Sequence, residues 1–427
     1  MPAFSPQHLS RIGSLLRIEP GIVASALAAA ARITADDPDR AVVLTLAHLA
    51  ALSGVPYPRL REWVGRRGSE PYREWLLAKT RDRRRTKKAP RRRMRRIATP
   101  LPALMAQQRW ITQRILHTGR RHPASVAFHR KASIKEAARL HCSCRWLIKL
   151  DVENFFESIH EPAVFRVFVE LGYPRLLAFE LTRLCTRIVP PPRRGDDDRR
   201  MATRHANRGP DAYARMRPAA DPEPDQGLLS LALEDKWSEA RSALRGTPHA
   251  ALPLGSLPQG APTSPLLANL AVRPLDEAIQ AIATEHGLTY TRYADDIALS
   301  TRRKDFDREE ASAVIGKTLR ALERTGLRPH RAKTRVIPPG ARKIVLGLAV
   351  DGSQPRLTRE YRNKLRLHAH MLGTLRIPPS QHADALRFRS VLSMRRHIEG
   401  KIGHAWRIEE AFADAIAAKL ADVDWTL

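Results

Sequence analysis

Apolar residues recur every three to four positions along the first 75 residues of the chain, and this spacing predicts amphipathic helices. The predicted helices cover Leu9 to Leu16, Ile22 to Ile33 and Ala41 to Leu52. Gly54 and a further apolar run, Leu60 to Val64, extend the third helix into a helix–turn–helix pattern. Two such helices either pack on the neighbouring domain or read DNA, and Gly-containing turns between helices are common in helical domains.

Two later stretches have the pattern of buried strands. The apolar run Trp146 to Val152 contains one carboxylate near its end, Asp151, which takes either a structural hydrogen bond or a place in a site. The stretch Tyr290 to Ser300 has apolar or β-favouring residues on both sides of the adjacent pair Asp295-Asp296. It predicts a strand, a tight turn and a second strand, with both aspartates at the bend.

Helical spacing returns between and after these strands. The predicted helices cover Leu104 to Leu116, Leu266 to Ile282, Glu309 to Thr325 and the basic segment from Thr358 to Leu427. A further strand and turn are predicted from Lys343 to Gly352. Residues from about 190 to 252 are proline-rich and charged, which predicts an inserted loop that is at least partly disordered. The flexible setting of Asp196-Asp197-Asp198 in that loop disfavours a metal site there.

The charge of the chain is strongly positive. Its 427 residues include 74 Lys and Arg against 44 Asp and Glu, a formal net charge of +30, which predicts a polyanionic partner. A basic run from Lys79 to Arg96 leads into predicted ordered structure, which suits contacts with phosphate groups. After Gly326, a second group of basic residues is expected near the paired aspartates; it comprises Arg328, His330, Arg331, Lys333 and Arg335.

A membrane or secreted protein is not expected from this sequence. No apolar run reaches the ~18 residues that span a bilayer, and no basic region followed by an apolar core opens the chain. Cys142, Cys144 and Cys185 lack the usual zinc spacing and are too few for a disulfide framework. We therefore expect a cytoplasmic protein with reduced, structural cysteines, long enough for two or three domains.

Adjacent carboxylates repel each other, so a protein rarely keeps such a pair without a group that neutralises it. A divalent hard cation does so, because Mg²⁺ prefers carboxylate oxygen and completes its coordination with substrate phosphates. The alternative for Asp295-Asp296 alone is a solvated acidic turn.

Three segments in order resemble the motifs of reverse transcriptases: Leu150-Asp151 with Phe155-Phe156, Leu257-Pro258-Gln259-Gly260 with Ser264-Pro265, and Tyr293-Ala294-Asp295-Asp296. The resemblance extends over roughly Leu46 to Ile408 without the insert. It implies an α+β right-hand polymerase fold with fingers, palm and thumb, an N-terminal helical extension and a basic helical thumb. The implied divisions are 1–75 for the helical extension, 76–145 for the fingers, 146–352 for the palm and 353–427 for an RNA-binding thumb.

The same resemblance implies the site. Asp151, Asp295 and Asp296 would be catalytic and would hold two Mg²⁺ ions, with Asp295 expected to be the tighter ligand of the pair. Phe156 matches the position that excludes a 2′-hydroxyl and so selects dNTPs. Gln259 matches the glutamine beside the incoming nucleotide, and Lys79 and Arg96 match residues that hold the triphosphate.

Within the family, the chain resembles bacterial retron reverse transcriptases. Ser133 to His141 is similar to the retron Asn-Ala-x-x-His element with Ala137 in place of Asn, and Val345-Leu346-Gly347 is similar to Val-Thr-Gly with Leu346 in place of Thr. The resemblance implies a structured non-coding RNA as template and primer, multicopy single-stranded DNA (msDNA) as product, dNTPs as substrates, and antiviral defence with a separate effector protein. No additional nuclease domain is expected.

Three alternatives stay open from the sequence. One is another bacterial defence or abortive-infection reverse transcriptase, self-primed or protein-primed. Another is a non-catalytic RNA-binding protein on a polymerase scaffold, against which the three intact carboxylates argue, because they repel phosphate. The third is a DNA-binding regulator built on Leu46 to Val64.

Overall fold

Residues 5–66, 70–78, 94–188 and 254–426 are described by the structure, which is a computed structural model. Lys79 and the predicted insert at about 190–252, with its Asp196-Asp197-Asp198, lie outside the described residues. The chain divides into two compact units. The first comprises Met1–Arg120, Asn154–Ala271 and Arg324–Leu327, and the second comprises Arg121–Glu153, Val272–Glu323 and Arg328–Leu427.

Helices and strands are mixed along the chain. The α-helices are α1 Pro6–Leu15, α2 Pro20–Thr34, α3 Leu46–Ser53, α4 Tyr57–Gly65, α5 Pro102–Arg114, α6 Ile134–Arg139, α7 Glu161–Glu170, α8 Arg175–Cys185, α9 Ser264–Ala271, α10 Arg273–Glu285, α11 Arg308–Arg324, α12 Arg359–His368, α13 Pro379–Ala385, α14 Val391–Trp406 and α15 Glu410–Leu420. The strands are β1 Tyr72–Ala78, β2 Met94–Pro100, β3 Trp146–Asp151, β4 Thr289–Tyr293, β5 Asp296–Thr301, β6 Arg335–Ile337, β7 Ile344–Val345, β8 Leu348–Ala349 and β9 Arg356–Leu357.

Local sequence explains where many helices begin. The side chains of Ser5, Thr45, Ser133, Thr358 and Ser390 each accept a hydrogen bond from a backbone N–H in the first turn of the following helix. Helices α2, α5, α7 and α10 have proline in the first turn, where the missing N–H costs no intrahelical bond. In the described residues, no helix is long and apolar enough to cross a bilayer.

Four predicted elements differ from the structure. The helix predicted from Ala41 begins only at Leu46, because the β-branched pair Val42-Val43 is buried outside any helix or strand and Thr45 then caps the helix. The helix predicted over Leu266 to Ile282 is two helices, α9 and α10, separated at Val272, where the proline that follows begins a new helix.

The other two differences concern turns. The sequence from Glu153 to Ile159 predicts a turn into a helix directly after β3, whereas residues 153–158 form turns and the helix begins only at Glu161. The strand predicted from Lys343 is a hairpin of β7 and β8, whose two turn residues, Leu346 and Gly347, both have positive φ (49° and 82°). A type I′-like turn thus lies within an apolar run that resembles one continuous strand.

In the first unit, β1 and β2 form an antiparallel two-stranded ribbon, and helices pack beside it. Buried Arg40 joins the end of α2 to the end of α7, because its guanidinium donates to the Ile33 and Leu171 carbonyl oxygens at 3.0 and 3.1 Å. Helices α3 and α4 meet at Gly54, which has φ of 75°. The predicted helix–turn–helix pattern therefore forms, and Leu49 and Leu60 on its helices are fully buried.

In the second unit, one hydrophobic core joins the sheets to helices α12 to α15. It includes Leu147 of β3, Ala298 of β5, Val345 of β7 and the helix residues Met394 and Ile416. Cys142 and Cys144 lie in the same core, and Cys185 is buried in the first unit; all three are free thiols, as predicted. The basic C-terminal helices are thus anchored by apolar faces while their arginines lie outside.

Gly373 provides a test of this helical packing. A Cβ at this position would overlap the Lys419 carbonyl oxygen of α15, so only glycine permits the close approach. We expect Gly373→Ala to lower the free energy of unfolding by about 1–3 kcal/mol, the usual cost of overpacking. Chemical denaturation of the purified protein measures this difference.

Gly400→Ala is the matched control. Gly400 lies inside helix α14 with nothing within 4 Å of the added methyl group. Because alanine favours helix more than glycine does, this variant should gain roughly 0.5–1 kcal/mol. Equal stability of the two variants would contradict the packing described here.

Candidate active site

The antiparallel sheet of the second unit brings the predicted carboxylates together. Its strand order is β4-β5-β3-β6, so β5 lies directly beside β3. Asp151, the last residue of β3, is paired in register with Asp296, the first residue of β5. Asp295 lies in the two-residue turn between β4 and β5, and its carbonyl oxygen accepts a hydrogen bond from Val152 N at 3.0 Å. The predicted strand–turn–strand with aspartates at the bend is therefore present.

Two lysines neutralise two of the three carboxylates in this structure. Lys149 Nζ lies 3.0 Å from Asp296 Oδ2, and Lys333 Nζ lies 2.7 Å from Asp151 Oδ2. Lys149 is two residues before Asp151 on β3, so the two side chains point to the same face of the sheet. Lys333 is one of the basic residues predicted to lie near the aspartates, whereas the role of Lys149 was missed, although its period-two spacing from Asp151 could have indicated it.

The electrostatics of the pair reflect burial and like charge. Burial and the nearby charge of Asp151 raise the pKa of Asp295 above its ordinary value. Burial also raises the pKa of Asp296, and the charge of Lys149 opposes this rise. Among the described residues, Asp295 forms no ion pair, so its charge is the least compensated of the three carboxylates.

The turn itself has unusual backbone geometry. Ala294 has φ of 54°, in the left-handed region that residues with a Cβ seldom occupy. Such conformations persist where surrounding structure imposes them, and they cluster at functional sites. The two residues that precede Asp296 therefore form a constrained bend.

His141 joins the two strands that lead into and out of this bend. Its imidazole is fully buried, with Nδ1 2.7 Å from Ser300 Oγ on β5 and Nε2 2.7 Å from Thr291 Oγ1 on β4. Burial lowers the pKa of His141 to about 4, so the ring is neutral at pH 7. His141, the last residue of the retron-like element, thus bridges the two strands of the carboxylate hairpin.

The candidate nucleotide-binding residues that are described lie in the first unit. Ala98 N of β2 donates to the Gln259 carbonyl oxygen at 2.8 Å, so the Gln259 loop runs along the edge of the strand that carries Arg96. Gly260 has φ of 119°, and a Cβ there would lie 3.0 Å from the Ala98 carbonyl oxygen. The glycine at this position thus lets the Gln259 loop approach β2 closely.

Arg96 and Phe156 are both accessible in part. Arg96 Nε lies 3.8 Å from Glu74 Oε2, while its Nη1 is buried without a hydrogen-bond partner among the described residues. Phe156 packs edge-to-face on buried Phe155, with ring centroids 5.5 Å apart. Leu257 N donates to the Ile159 carbonyl oxygen, so a backbone hydrogen bond joins the segment after Phe156 to the loop before Gln259.

The donor chemistry of the three aspartates fits a divalent cation. All three offer hard carboxylate oxygens, and the raised pKa of Asp295 reflects its burial and then repulsion from Asp151, which a cation relieves. Within the described part of the chain, no group of three or more His, Cys, Asp or Glu side chains is arranged as a metal site. Lys149 and Lys333 hold two of the carboxylates instead.

Comparison with known proteins agrees with the motifs. The family model described as reverse transcriptase (RNA-dependent DNA polymerase) matches residues 251–350, which include Gln259, Asp295 and Asp296. The chain is 28% identical to the retron Ec86 reverse transcriptase of Escherichia coli over 66% of its own length and 67% of that protein. The predicted resemblance to retron reverse transcriptases is confirmed.

Other relatives extend the comparison. The retron Mx162 reverse transcriptase of Myxococcus xanthus is 28% identical over 65% of this chain, and the match spans only 49% of that protein. Among solved structures, telomerase from Candida albicans in complex with a fragment of telomeric RNA aligns with 86% of this chain and 58% of its own, at 12% identity and a TM-score of 0.37. The match to retron relatives covers most of the chain, well beyond residues 251–350.

The raised pKa of Asp295 predicts a stability effect. An aspartate with a raised pKa binds its proton more tightly in the folded state, so stability falls as pH rises from the ordinary carboxyl value to the raised value. Above that pH range, Asp295→Asn removes the free-energy cost of the buried charge. We expect Asp295→Asn to melt at a higher temperature than wild type at pH 7 without divalent cations. The difference in melting temperature should disappear near pH 3, where the wild-type carboxyl group is protonated.

Asp305→Asn is the control for that measurement. The hydrogen bond from Arg303 lowers the pKa of Asp305, so the same substitution there should not stabilise. A lower melting temperature for Asp295→Asn at pH 7 would mean instead that the carboxylate helps to hold the fold together.

Proposed function

We propose that this protein is an RNA-directed DNA polymerase of the retron type. It would copy part of a structured non-coding RNA into msDNA, primed from a 2′-hydroxyl of the same RNA. The observation that carries the proposal is the register of the sheet, which pairs Asp151 with Asp296 and holds Asp295 in the adjoining turn. Similarity to retron relatives over about two thirds of the chain supports the retron assignment.

The carboxylates would perform the chemistry as ligands. Two Mg²⁺ ions, when bound, would activate the primer hydroxyl and stabilise the in-line transition state at the α-phosphorus of a dNTP. Asp151, Asp295 and Asp296 would hold them, and Asp295 is the best candidate for the tighter ligand because no ion pair among the described residues competes for it. Lys149 and Lys333 place positive charge beside Asp296 and Asp151.

The nucleotide would be bound by residues of the first unit. Gln259, on a loop hydrogen-bonded to β2, and Arg96, on β2, would contact the dNTP. The unpartnered Nη1 of Arg96 suits a phosphate oxygen. Lys79 stays a prediction from the sequence as a second triphosphate contact. Phe156 would exclude a 2′-hydroxyl.

The basic helical segment after β9 supports RNA binding. An open depression on the second unit is bordered by five arginines: Arg342, Arg356, Arg359, Arg362 and Arg366. Arg342 is paired with Glu360 and Arg362 with Glu409, whereas Arg356, Arg359 and Arg366 are exposed. Such a surface suits the phosphates and 2′-hydroxyls of a folded RNA rather than a base sequence.

Another bacterial reverse transcriptase of the defence type is the second candidate. It would use the same carboxylates with a different primer, and the departures at Ala137 and Leu346 favour it. A role in antiviral defence with a separate effector follows from the retron resemblance and is part of the proposal. A non-catalytic RNA-binding role leaves the carboxylate cluster in a basic protein without a reason.

The product made in cells tests the proposal directly. The protein would be expressed with its native upstream DNA, purified, and the bound nucleic acid treated in turn with RNase and DNase before sequencing. We expect a discrete small DNA joined to RNA from the wild type. Asp295→Ala should yield the RNA alone, because it removes a metal ligand and leaves the basic surface intact.

The controls separate the candidates. RNA without DNA in both samples, together with no primer extension on a generic RNA template, would exclude the polymerase. DNA that is not joined to RNA would favour the differently primed defence enzyme. Asp305→Ala, at an exposed aspartate of the same unit, should behave as wild type.

Phe156→Val tests whether Phe156 excludes nucleotides that carry a 2′-hydroxyl. A smaller side chain leaves room for a 2′-hydroxyl, so incorporation of rNTPs relative to dNTPs should rise by roughly 10-fold or more, the range that a change in pocket size produces. Single-nucleotide extension with each substrate measures the ratio of kcat/KM values. Phe165→Val, on α7, is the control for loss of a phenyl ring elsewhere in the first unit. Unchanged discrimination in Phe156→Val would remove Phe156 from this role.

A further inference from the structure

Arg292, the fourth residue of β4, is fully buried beside a single carboxylate. Its Nε and Nη2 donate to Asp276 Oδ1 and Oδ2 of α10, both at 2.7 Å. The side chains of both residues have no exposed surface. Tyr290 Oη donates to the same Asp276 Oδ1 at 2.6 Å, so the carboxylate is held by three donors.

The remaining arm of the guanidinium reaches the carboxylate turn. Arg292 Nη1 donates to the Ala294 carbonyl oxygen at 3.1 Å. That carbonyl belongs to the same planar peptide as the Asp295 N–H, so fixing it limits both the ψ of Ala294 and the φ of Asp295. The next peptide of the turn is held as well, because Val152 N donates to the Asp295 carbonyl oxygen.

The position of Arg292 is itself imposed by neighbouring segments. Arg292 N donates to the Ala124 carbonyl oxygen at 2.8 Å, and Val126 N donates to the Arg292 carbonyl oxygen at 3.0 Å. Arg292 Nη2 also donates to Ser125 Oγ at 3.1 Å. The backbone and the guanidinium of Arg292 are therefore held independently of the turn.

Stability alone is a weak reason for such a pair. A buried ion pair can often be replaced by apolar side chains of similar volume at little cost, whereas loss of one partner costs about 3–5 kcal/mol. An apolar pair cannot donate a hydrogen bond to the carbonyl oxygen of Ala294, the residue that is held at φ of 54°. The planar fork of arginine serves Asp276 and this carbonyl at the same time, which a lysine ammonium group does not reproduce.

We propose that Arg292 is a positioning residue of the polymerase: anchored by Asp276, it holds the Ala294 carbonyl and so imposes the bend that presents Asp295 and Asp296 to the metal ions. This inference rests on the proposed function for its kinetic consequences. Its structural consequence, the correct presentation of the two carboxylates, is measurable without catalysis.

The experiment compares Arg292→Lys with wild type in three measurements. Arg292→Lys keeps the positive charge beside Asp276 and loses the bond to the Ala294 carbonyl. We expect kcat for primer extension to fall by about 10- to 100-fold, since a misplacement of about 1 Å has an effect of this size. The KM for dNTP and the Kd for RNA should stay within about threefold, because neither ligand is bound by this group. Binding of Mn²⁺, followed by electron paramagnetic resonance without nucleic acid, should weaken by about tenfold, the usual effect of losing a group that orients metal ligands.

Arg302→Lys is the matched control. Arg302 also holds a main-chain carbonyl of the second unit, that of Cys142, with Nε at 3.1 Å and Nη2 at 2.9 Å, but it lies beyond the far end of β5. We expect extension and Mn²⁺ binding to remain at the wild-type level in this variant.

A rescue distinguishes positioning from a general loss of structure. Glycine adopts positive φ without the steric cost that alanine has, so Ala294→Gly should allow the bend to form without the bond from Arg292. The double variant Arg292→Lys/Ala294→Gly should recover part of the lost kcat and Mn²⁺ affinity. A merely structural role for Arg292 predicts no recovery, because the buried pair stays equally disturbed.

A second variant covers the case in which Arg292→Lys does not fold. Asp276→Asn/Arg292→Met removes both charges together, which buried pairs tolerate better than the loss of one partner. It should fold and still lose extension and Mn²⁺ affinity. Wild-type Mn²⁺ affinity in either folded variant overturns the inference. Absence of primer extension by the wild type overturns the proposed function alone, and the Mn²⁺ measurements then decide on Arg292.

Discussion

Electrostatic repulsion among three carboxylates is the constraint on which the arrangement of the second unit depends. Asp151 ends one strand, and Asp295-Asp296 close the turn into its neighbour, so the antiparallel register alone brings like charges together. Partial burial increases the cost of their ionisation, which is why the pKa values of Asp295 and Asp296 are raised. Lys149 and Lys333 compensate two of the charges, and a hard cation would compensate all three.

A repelling cluster stays in place only if the backbone that carries it is rigid. The hairpin of β4 and β5 is bounded on several sides by buried polar groups whose hydrogen bonds are satisfied. Neutral His141 bridges the hydroxyl groups of Thr291 and Ser300 across the two strands, and Arg292 with Asp276 lies under the bend. Such networks are costly when half satisfied and stiff when complete. Their completeness fits a site in which ligand geometry must be maintained against repulsion.

The first unit depends on a different constraint, which is the close approach of two backbone segments. The Gln259 loop runs along β2 with a backbone hydrogen bond, and Gly260 allows a separation that a side chain would prevent. Arg187 is almost fully buried and forms ion pairs with Glu70 and with Glu74 of β1. Glu74 also lies near Arg96 of β2. Arg96, one of the side chains proposed to contact the nucleotide, is thereby carried on a ribbon fixed by ion pairs.

Much of this was determined by the sequence itself. Runs of apolar and β-favouring residues located β3 and the β4–β5 hairpin, helical spacing located most helices, and the order of the three motifs indicated a reverse transcriptase. These features are local, because they depend on the chemistry of neighbouring residues along the chain. Local patterns failed where tertiary burial prevailed, as at Val42-Val43, which is buried outside any helix or strand, and at Leu346-Gly347, where a turn interrupts an apolar run.

Only the tertiary structure decided which distant groups meet. The sequence does not specify that Asp151 pairs in register with Asp296 rather than with a neighbour, that Lys149 and Lys333 reach different carboxylates, or that Arg292 spans from Asp276 to the Ala294 carbonyl. Each of these depends on strand register and helix packing, which are set by the summed burial of many residues far apart in the chain. The sequence by itself determined the chemical groups of the site, and the folded chain determined their geometry.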